Sequence, residues 1–220
     1  MLDPIKRHPT RSEQLDILTR IVADATSPGD RVLDVGCGTG YAGFLLARRR
    51  NDLQYVGVDL SPTSLEAAAN YLDGFERAPV LIAADLNDVD SIELPCASFK
   101  AIWTVLTFHD LTDPAKQRVL AWMAGHLADD GLLLVHDRIR LTVPRLFPVQ
   151  QTVWQRLEEV HGEGMRTAAS YAEYLDDLDT TNRPATLADY GDWLSGLALD
   201  SQIVHLHGNT VLIAATRQPT

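Results

Sequence analysis

Three glycines in five positions, Gly36, Gly38 and Gly40, stand behind Asp34 in RVLDVGCGTGY, residues 31–41. Glycines so spaced let the backbone turn tightly and let a ligand approach with no side chain in the way. One would serve a plain strand-to-helix turn, so three favour a ligand. Two further acids close later apolar runs. Asp59, 19 residues beyond Gly40, can accept hydrogen bonds from both hydroxyls of a ribose. Asp85 can accept one from an adenine amino group. Singly, Asp59 also reads as an anion at a helix start beside Ser61, and Asp85 as punctuation before Asn87 and Asp88. Together the three acids line one crevice for an adenosine. A dinucleotide fingerprint would put glycine where Tyr41 stands, and a phosphate loop would need a lysine that GTGY lacks. Two more residues could move protons. His109 has a side chain suited to base work near neutral pH, and Asp137 could orient it, take a substrate proton or hold a cationic amine. Their structural readings are a helix-start histidine bonded to backbone, and a cap or an ion pair with Arg138 or Arg140.

These residues need elements to position them. Apolar spacing at Leu15, Leu18, Ile21, Val22 and Ala25 predicts a helix over 12–25 with Ser12 as its cap, and SPGD predicts a turn. VLDVG reads as a buried strand and YAGFLLARRR as the helix after it. QYVGVD is a second strand; SPTSLEAAANYL is a helix with Ser61 as N-cap and Pro62 at its first position. VLIAAD at 80–85 and FKAIWTVLTF at 99–108 are strands three and four. A helix runs from Pro114 to about Ala128, with Asp110 and Asp113 as cap candidates; DDG is a turn and LLLVH the fifth strand. Apolar strands alternating with helices predict a parallel sheet covered on both faces. SQIVHLHGNTVLIAATR breaks the alternation with a hairpin at Gly208-Asn209. The irregular stretch of about 138–183 is too long for a plain connection and leaves strand five where ligands bind such sheets, so it is read as a cap. Its VWQRLEEV and AASYAEYLDDL segments predict short helices. Trp154, Tyr171 and Tyr174 could enclose a flat or cationic substrate or form the core of the cap.

The chain has 220 residues, 45% of them hydrophobic, which suits one domain with a buried core. A net charge of −11 argues against a nucleic-acid partner, because phosphate contacts need clustered lysine and arginine. Two cysteines make no disulfide framework, MLDPIKRHPT has no signal-like apolar stretch, and no apolar run reaches membrane-spanning length. A cytoplasmic protein with no membrane association is the expectation. His161, Glu163 and the distant histidines have no metal-ligand spacing, and His205 and His207 alternate as if on a surface face.

VLDVGCGTG, VGVDLS and AADL resemble motifs I, II and III of the class I S-adenosylmethionine-dependent methyltransferases, and DDGLLLVHD resembles their segment before the cap. The resemblance covers nearly the whole chain. It implies a Rossmann-like, doubly wound, mostly parallel seven-stranded sheet with an antiparallel last strand and a small helical cap, in a single domain over 1–220 with an N-terminal helical segment at 1–26. It implies S-adenosylmethionine as cofactor. The loop of Gly36, Cys37, Gly38 and Gly40 would contact its methionine part, Asp34 would orient the loop or the amine, and Asp59 would take the ribose hydroxyls. Leu60 would flank the adenine, Asp85 and Leu86 would bind its edge, and Val105 would offer backbone to the amine or carboxylate end. Arg11, from the N-terminal helix, could pair with the carboxylate or be a solvated arginine. LTFHDL resembles the LHHL-like segment of many small-molecule methyltransferases, with His109 at the first histidine and Asp110 replacing the second. The leading expectation is transfer of a methyl group to an O or N atom of a small molecule, with a homodimer possible. The alternatives are an enzyme that remodels the cofactor, such as a carboxy-S-adenosylmethionine synthase using Arg138 or Arg140, a non-catalytic cofactor-binding protein, and a dehydrogenase.

Overall fold

The structure, a computed structural model, describes residues 9–162, 167–178 and 181–219, with only the backbone for Pro9, Thr10 and His161. The readings made for residues 1–8, for the His161 side chain and for Glu163 therefore lie outside the described residues. Helices α1 (Pro9–Ala25), α2 (Tyr41–Ala47), α3 (Pro62–Tyr71) and α4 (Asp113–Gly125) alternate with strands β1 (Arg31–Val35), β2 (Gln54–Asp59), β3 (Val80–Ala83), β4 (Phe99–Val105) and β5 (Leu127–Arg138), except that β3 and β4 are joined by a 3-10 segment, Leu86–Ser91. The cap follows with α5 (Phe147–His161) and α6 (Tyr171–Asp176), and α7 (Leu187–Gly196) leads into the hairpin of β6 (Leu199–His207) and β7 (Thr210–Arg217). The sheet order is β3-β2-β1-β4-β5-β7-β6. The β1–β5 pairs are parallel, and β7 runs antiparallel to both β5 and β6.

The central strands are apolar because both faces are covered. On one face Leu18 and Val22 of α1, Leu46 of α2, Ala68 of α3 and Leu72 just beyond it pack on Val32, Tyr55, Trp103 and Leu134. On the other, Val119, Leu120 and Met123 of α4 and Tyr190 and Leu194 of α7 pack on Leu33, Val56, Ile102 and Leu133.

Several local boundaries differ from the sequence reading. Ser12 lies inside α1, which starts at Pro9. Ser61 caps α3 as expected, its hydroxyl accepting from the Ser64 amide at 3.2 Å. Thr112, rather than Asp110 or Asp113, caps α4. DDG is not a separate turn: β5 runs through it, because its register against β4 shifts between Phe99 and Ala101 and absorbs the extra residues. Strands β3 and β4 and helices α2 and α4 end earlier than read, at Ala83, Val105, Ala47 and Gly125. His205 and His207 are partly buried against α1, facing Glu13 at 3.9 and 3.6 Å.

In the cap, Phe147, Trp154 and Tyr174 form a cluster of their own with Tyr171 and Leu141. The aromatic residues are therefore mainly cap core. Trp154 Nε1 donates to Asn209 Oδ1 in the hairpin turn at 3.4 Å, and the Ile139 amide donates to the Asn209 carbonyl at 2.8 Å. The return leg is pinned to the sheet edge: Ile139 bridges Ala185, and the Arg183 amide donates to the His109 carbonyl at 2.5 Å. Beneath it, the fully buried Lys116 ammonium donates to Arg183 O at 2.5 Å and to Asp113 Oδ1 at 2.6 Å.

Candidate functional site

The carboxyl ends of β1, β2 and β4 open into a crevice of about 550 Å³. Its first wall is the glycine loop. The Gly36 and Cys37 amides both donate to Val58 O, which ties the loop to β2. Gly36 has a φ of 73°, and a Cβ there would overlap the Thr107 side chain after β4. Gly38, at φ 52°, faces open space, so its backbone is bare to a ligand. Gly40 is not on the wall. It ends the turn at φ 76° as N-cap of α2, and a Cβ there would press on Ala68 and Leu72 at 3.1 Å. Its demand for glycine is one of backbone conformation and packing.

The acids take distinct positions. Asp59 Oδ2 accepts from the Gly38 amide at 2.7 Å and Oδ1 from the Ser61 amide at 2.9 Å. The carboxylate thus braces the loop and keeps lone pairs for a diol. Asp85 Oδ1 accepts from both the amide and the side chain of Asn87 at 2.8 Å, so the punctuation role and a place in the crevice coexist. Asp34 is 1% exposed and accepts from the Tyr55 hydroxyl at 2.7 Å. Burial pushes its carboxyl up to about 7, against the hydrogen bond from Tyr55. Cys37 is buried, and its thiol is pushed up by burial and then by Asp34. Leu60 is exposed, Leu86 is buried and Val105 is half-buried; all three line the crevice with Arg11. Thr39, Tyr41, Thr107 and Leu111 line it too, although no motif singled them out for binding.

At the far end His109 faces the crevice. Its Nδ1 lies 2.6 Å from Asp137 Oδ1, and its Nε2 lies 3.5 Å from Asp110. Asp137 is fully buried behind it. A carboxylate that is ionised only accepts, so opposite it Nδ1 carries the proton and Nε2 is the ring nitrogen that can accept. Tyr190 of α7 donates its hydroxyl to Asp137 Oδ2 at 3.3 Å, and the Arg138 amide donates to Oδ1 at 2.8 Å. Tyr190 carries no motif and has the helical spacing of core, so only the fold reveals its contact.

Two further features bound the site. His136, one residue before Asp137, is buried, with Nε2 2.8 Å from Gln14 Oε1 of α1; burial foremost pulls its imidazole down to about 3, so it stays neutral. Leu106, after β4, has a φ of 53°, a left-handed conformation uncommon for leucine. Its amide donates to the His136 carbonyl at 2.7 Å.

The family model described as "Methyltransferase domain" matches residues 32–131, which hold the glycine loop, Asp59, Asp85 and His109. The chain is 37% identical over 111 residues to the malonyl-[acyl-carrier protein] O-methyltransferase of Laribacter hongkongensis, covering 47% of this chain and 36% of that one. It is 30% identical over 152 residues to the 27-O-demethylrifamycin SV methyltransferase of Amycolatopsis mediterranei, covering 68% and 52%. The chain belongs to the class I S-adenosylmethionine-dependent methyltransferases. It spans from about a third to about half the length of these two curated relatives. Among solved structures, the magnesium protoporphyrin IX methyltransferase of Synechocystis PCC 6803, with SAH bound, superposes with a TM-score of 0.65 at 14% identity, over 99% of this chain and 89% of that one. That likeness is one of fold. The residues present fit the cofactor of a class I methyltransferase: a loop with bare backbone at Gly38, a braced carboxylate at Asp59 and a crevice of about 550 Å³ that both line. Among the described residues, no cluster of metal-ligating side chains accompanies it and no helix is long and apolar enough to cross a membrane.

Proposed function

We propose that this chain transfers a methyl group from S-adenosylmethionine to an O or N atom of a small molecule. The observation that carries the reading is the His109–Asp137 pair, Nδ1 to Oδ1 at 2.6 Å, with His109 lining the crevice. The cofactor, when bound, supplies an electrophilic methyl on a sulfonium. Gly36, Cys37 and Gly38 would hold its methionine part, Asp59 the ribose hydroxyls, and Asp85 with Leu60 and Leu86 the adenine. Asp34 would keep the loop in place from below, and Val105 would present backbone to the amino-acid end. His109 Nε2 would take the proton from an acceptor hydroxyl lined up with that methyl. Asp137 would hold the ring and stabilise the imidazolium. The two free thiols, Cys37 and Cys96, suit the cytoplasm.

Calorimetric titration of the purified protein with S-adenosylmethionine and, separately, NADH tests the reading. Saturable one-site binding of the first alone supports it; binding of NADH alone would replace it with a dehydrogenase.

A second reading rests on Arg11 and Arg138, which both line the crevice and could seat a carboxylate added to the cofactor itself. Mass spectrometry of the nucleoside released from purified protein separates it from methyl transfer. A homodimer would use the outward row of Val149, Val153 and Val160 on α5, all of them solvent-exposed; light scattering reads that directly.

A further inference from the structure

A second cavity, of about 340 Å³, is lined by Tyr174 of the cap, Asn209 of the hairpin turn and His136 of β5. The volume suits a metabolite. Arg11, Leu106 and Arg138 line both this cavity and the crevice, so the two spaces meet at these three residues. His109 lines the crevice only. Charge gives the cavity no single sign, because the two arginines stand around it with Glu173, Asp176 and Asp177. Where the spaces meet, Leu106 is the one apolar member.

Leu106 is also where the backbone departs from what a leucine prefers. Among the described residues other than glycine, only Leu106, at φ 53°, and Ala198, at φ 54°, have a positive φ. Ala198 follows Leu197, the C-cap of α7, where a left-handed residue is a usual way to end a helix. Leu106 has no helix to end, since β4 stops at Val105 just before it. The chain on either side holds it in place. Val105 pairs with His136 in the β4–β5 register, and the Leu106 amide donates to the His136 carbonyl at 2.7 Å. Thr107 Oγ1 donates to the Gly36 carbonyl at 3.3 Å. Glycine would take this conformation without the clash that a Cβ brings. A leucine kept there is strain held beside a ligand space, which calls for a use of its side chain.

We infer that the transferred group crosses from the crevice to the cavity at Leu106, and that the leucine side chain narrows this crossing to a single carbon. The inference rests on the proposed function, in which cofactor and acceptor occupy adjoining spaces and the methyl passes between them. Leu106 is then the residue that determines which sulfonium substituent the protein tolerates. A branched apolar side chain suits the place, because it gives a methyl close contact and offers no polar atom to compete with the acceptor. Its backbone is fixed, so a longer substituent meets a wall that yields only by breaking the hydrogen bond to His136.

The test compares S-adenosylmethionine with S-adenosylethionine, which carries one more methylene on sulfur, by calorimetric titration. The parent should bind the ethyl compound at least tenfold more weakly. Leu106→Ala and Leu106→Gly should each bring the two affinities within threefold of one another, and if one variant folds poorly the other carries the comparison. Melting temperatures of the ligand-free variants read the backbone separately. Both variants remove the isobutyl group, but only glycine relieves the left-handed φ, so Leu106→Gly should melt about 2–4 °C above Leu106→Ala. Equal binding of the two compounds by the parent would overturn the inference with no variant needed. A gap in affinity that the variants leave unchanged would also overturn it, by placing the restriction elsewhere. Leu106→Gly melting below Leu106→Ala would remove the strain on which the inference stands. If the parent binds neither compound, the proposed function falls and takes the inference with it.

Discussion

Asp137 is the most heavily committed side chain at the site, meeting His109, Tyr190 and the Arg138 amide while fully buried. His109→Gln should lower kcat for a hydroxyl acceptor by about 10²–10⁴, with cofactor affinity unchanged. Tyr190→Phe should cost kcat much less and leave KM unchanged, because it acts only through Asp137. Two other buried groups set opposing pH dependences of stability. His136 resists protonation when folded, down to about 3 against an ordinary 6.5, so its contribution is full above 6.5 and is lost as pH falls below it. Asp34 holds its proton when folded up to about 7 against an ordinary 3.8, so it destabilises the fold increasingly as pH rises from about 4 to 7. Asp34→Asn should therefore gain on the parent across that window, by at most about 4 kcal/mol, and gain no more above it; urea melts at pH 4, 5.5, 7 and 8.5 measure this. His109, Asp137, Asp34 and Asp59 were legible as chemistry because acids and a histidine stand at strand ends in the sequence. Tyr190 was not, because a tyrosine on an amphipathic helix looks like core until the helix is placed.

Among the elements, the strand–loop–helix unit around β1 was readable in detail, since three glycines have few other uses there. What the sequence could not separate is why each is glycine. Gly36 and Gly40 are constrained by conformation and neighbours, whereas Gly38 is constrained by conformation alone and opens onto the crevice. Gly36→Ala should destabilise the protein by about 2–5 kcal/mol, combining the left-handed penalty with overlap at Thr107; Gly38→Ala should cost about 1–2 kcal/mol and mainly weaken cofactor binding, as denaturation and calorimetry would report. The cap was foreseen as a segment, but its attachments were not. They are contacts between residues far apart in the chain, such as Arg183 with His109 and Lys116 with Arg183, and local periodicity carries no trace of them. Lys116→Met should leave Arg183 O without its buried donor and cost about 1–3 kcal/mol in a urea melt.

For the whole molecule, the alternation of apolar strands and helices predicted the sheet, and the terminal hairpin predicted its antiparallel end. S-Adenosylhomocysteine at a hundred times its dissociation constant should stabilise the folded chain by about 2.7 kcal/mol, seen as a raised melting temperature; Asp59→Ala should lose most of that shift at the same concentration. The attachment of the cap also bears on redesign. Its return leg gives one backbone amide to the carbonyl of His109 and one carbonyl to Lys116, while Ala185 lies beside Ile139. The segment that would choose the acceptor and the residue that would accept its proton are therefore fastened to each other. Caps exchanged between such proteins to change specificity should be spliced inside 141–178. Cuts made nearer the sheet would transplant the selectivity and unfasten the base.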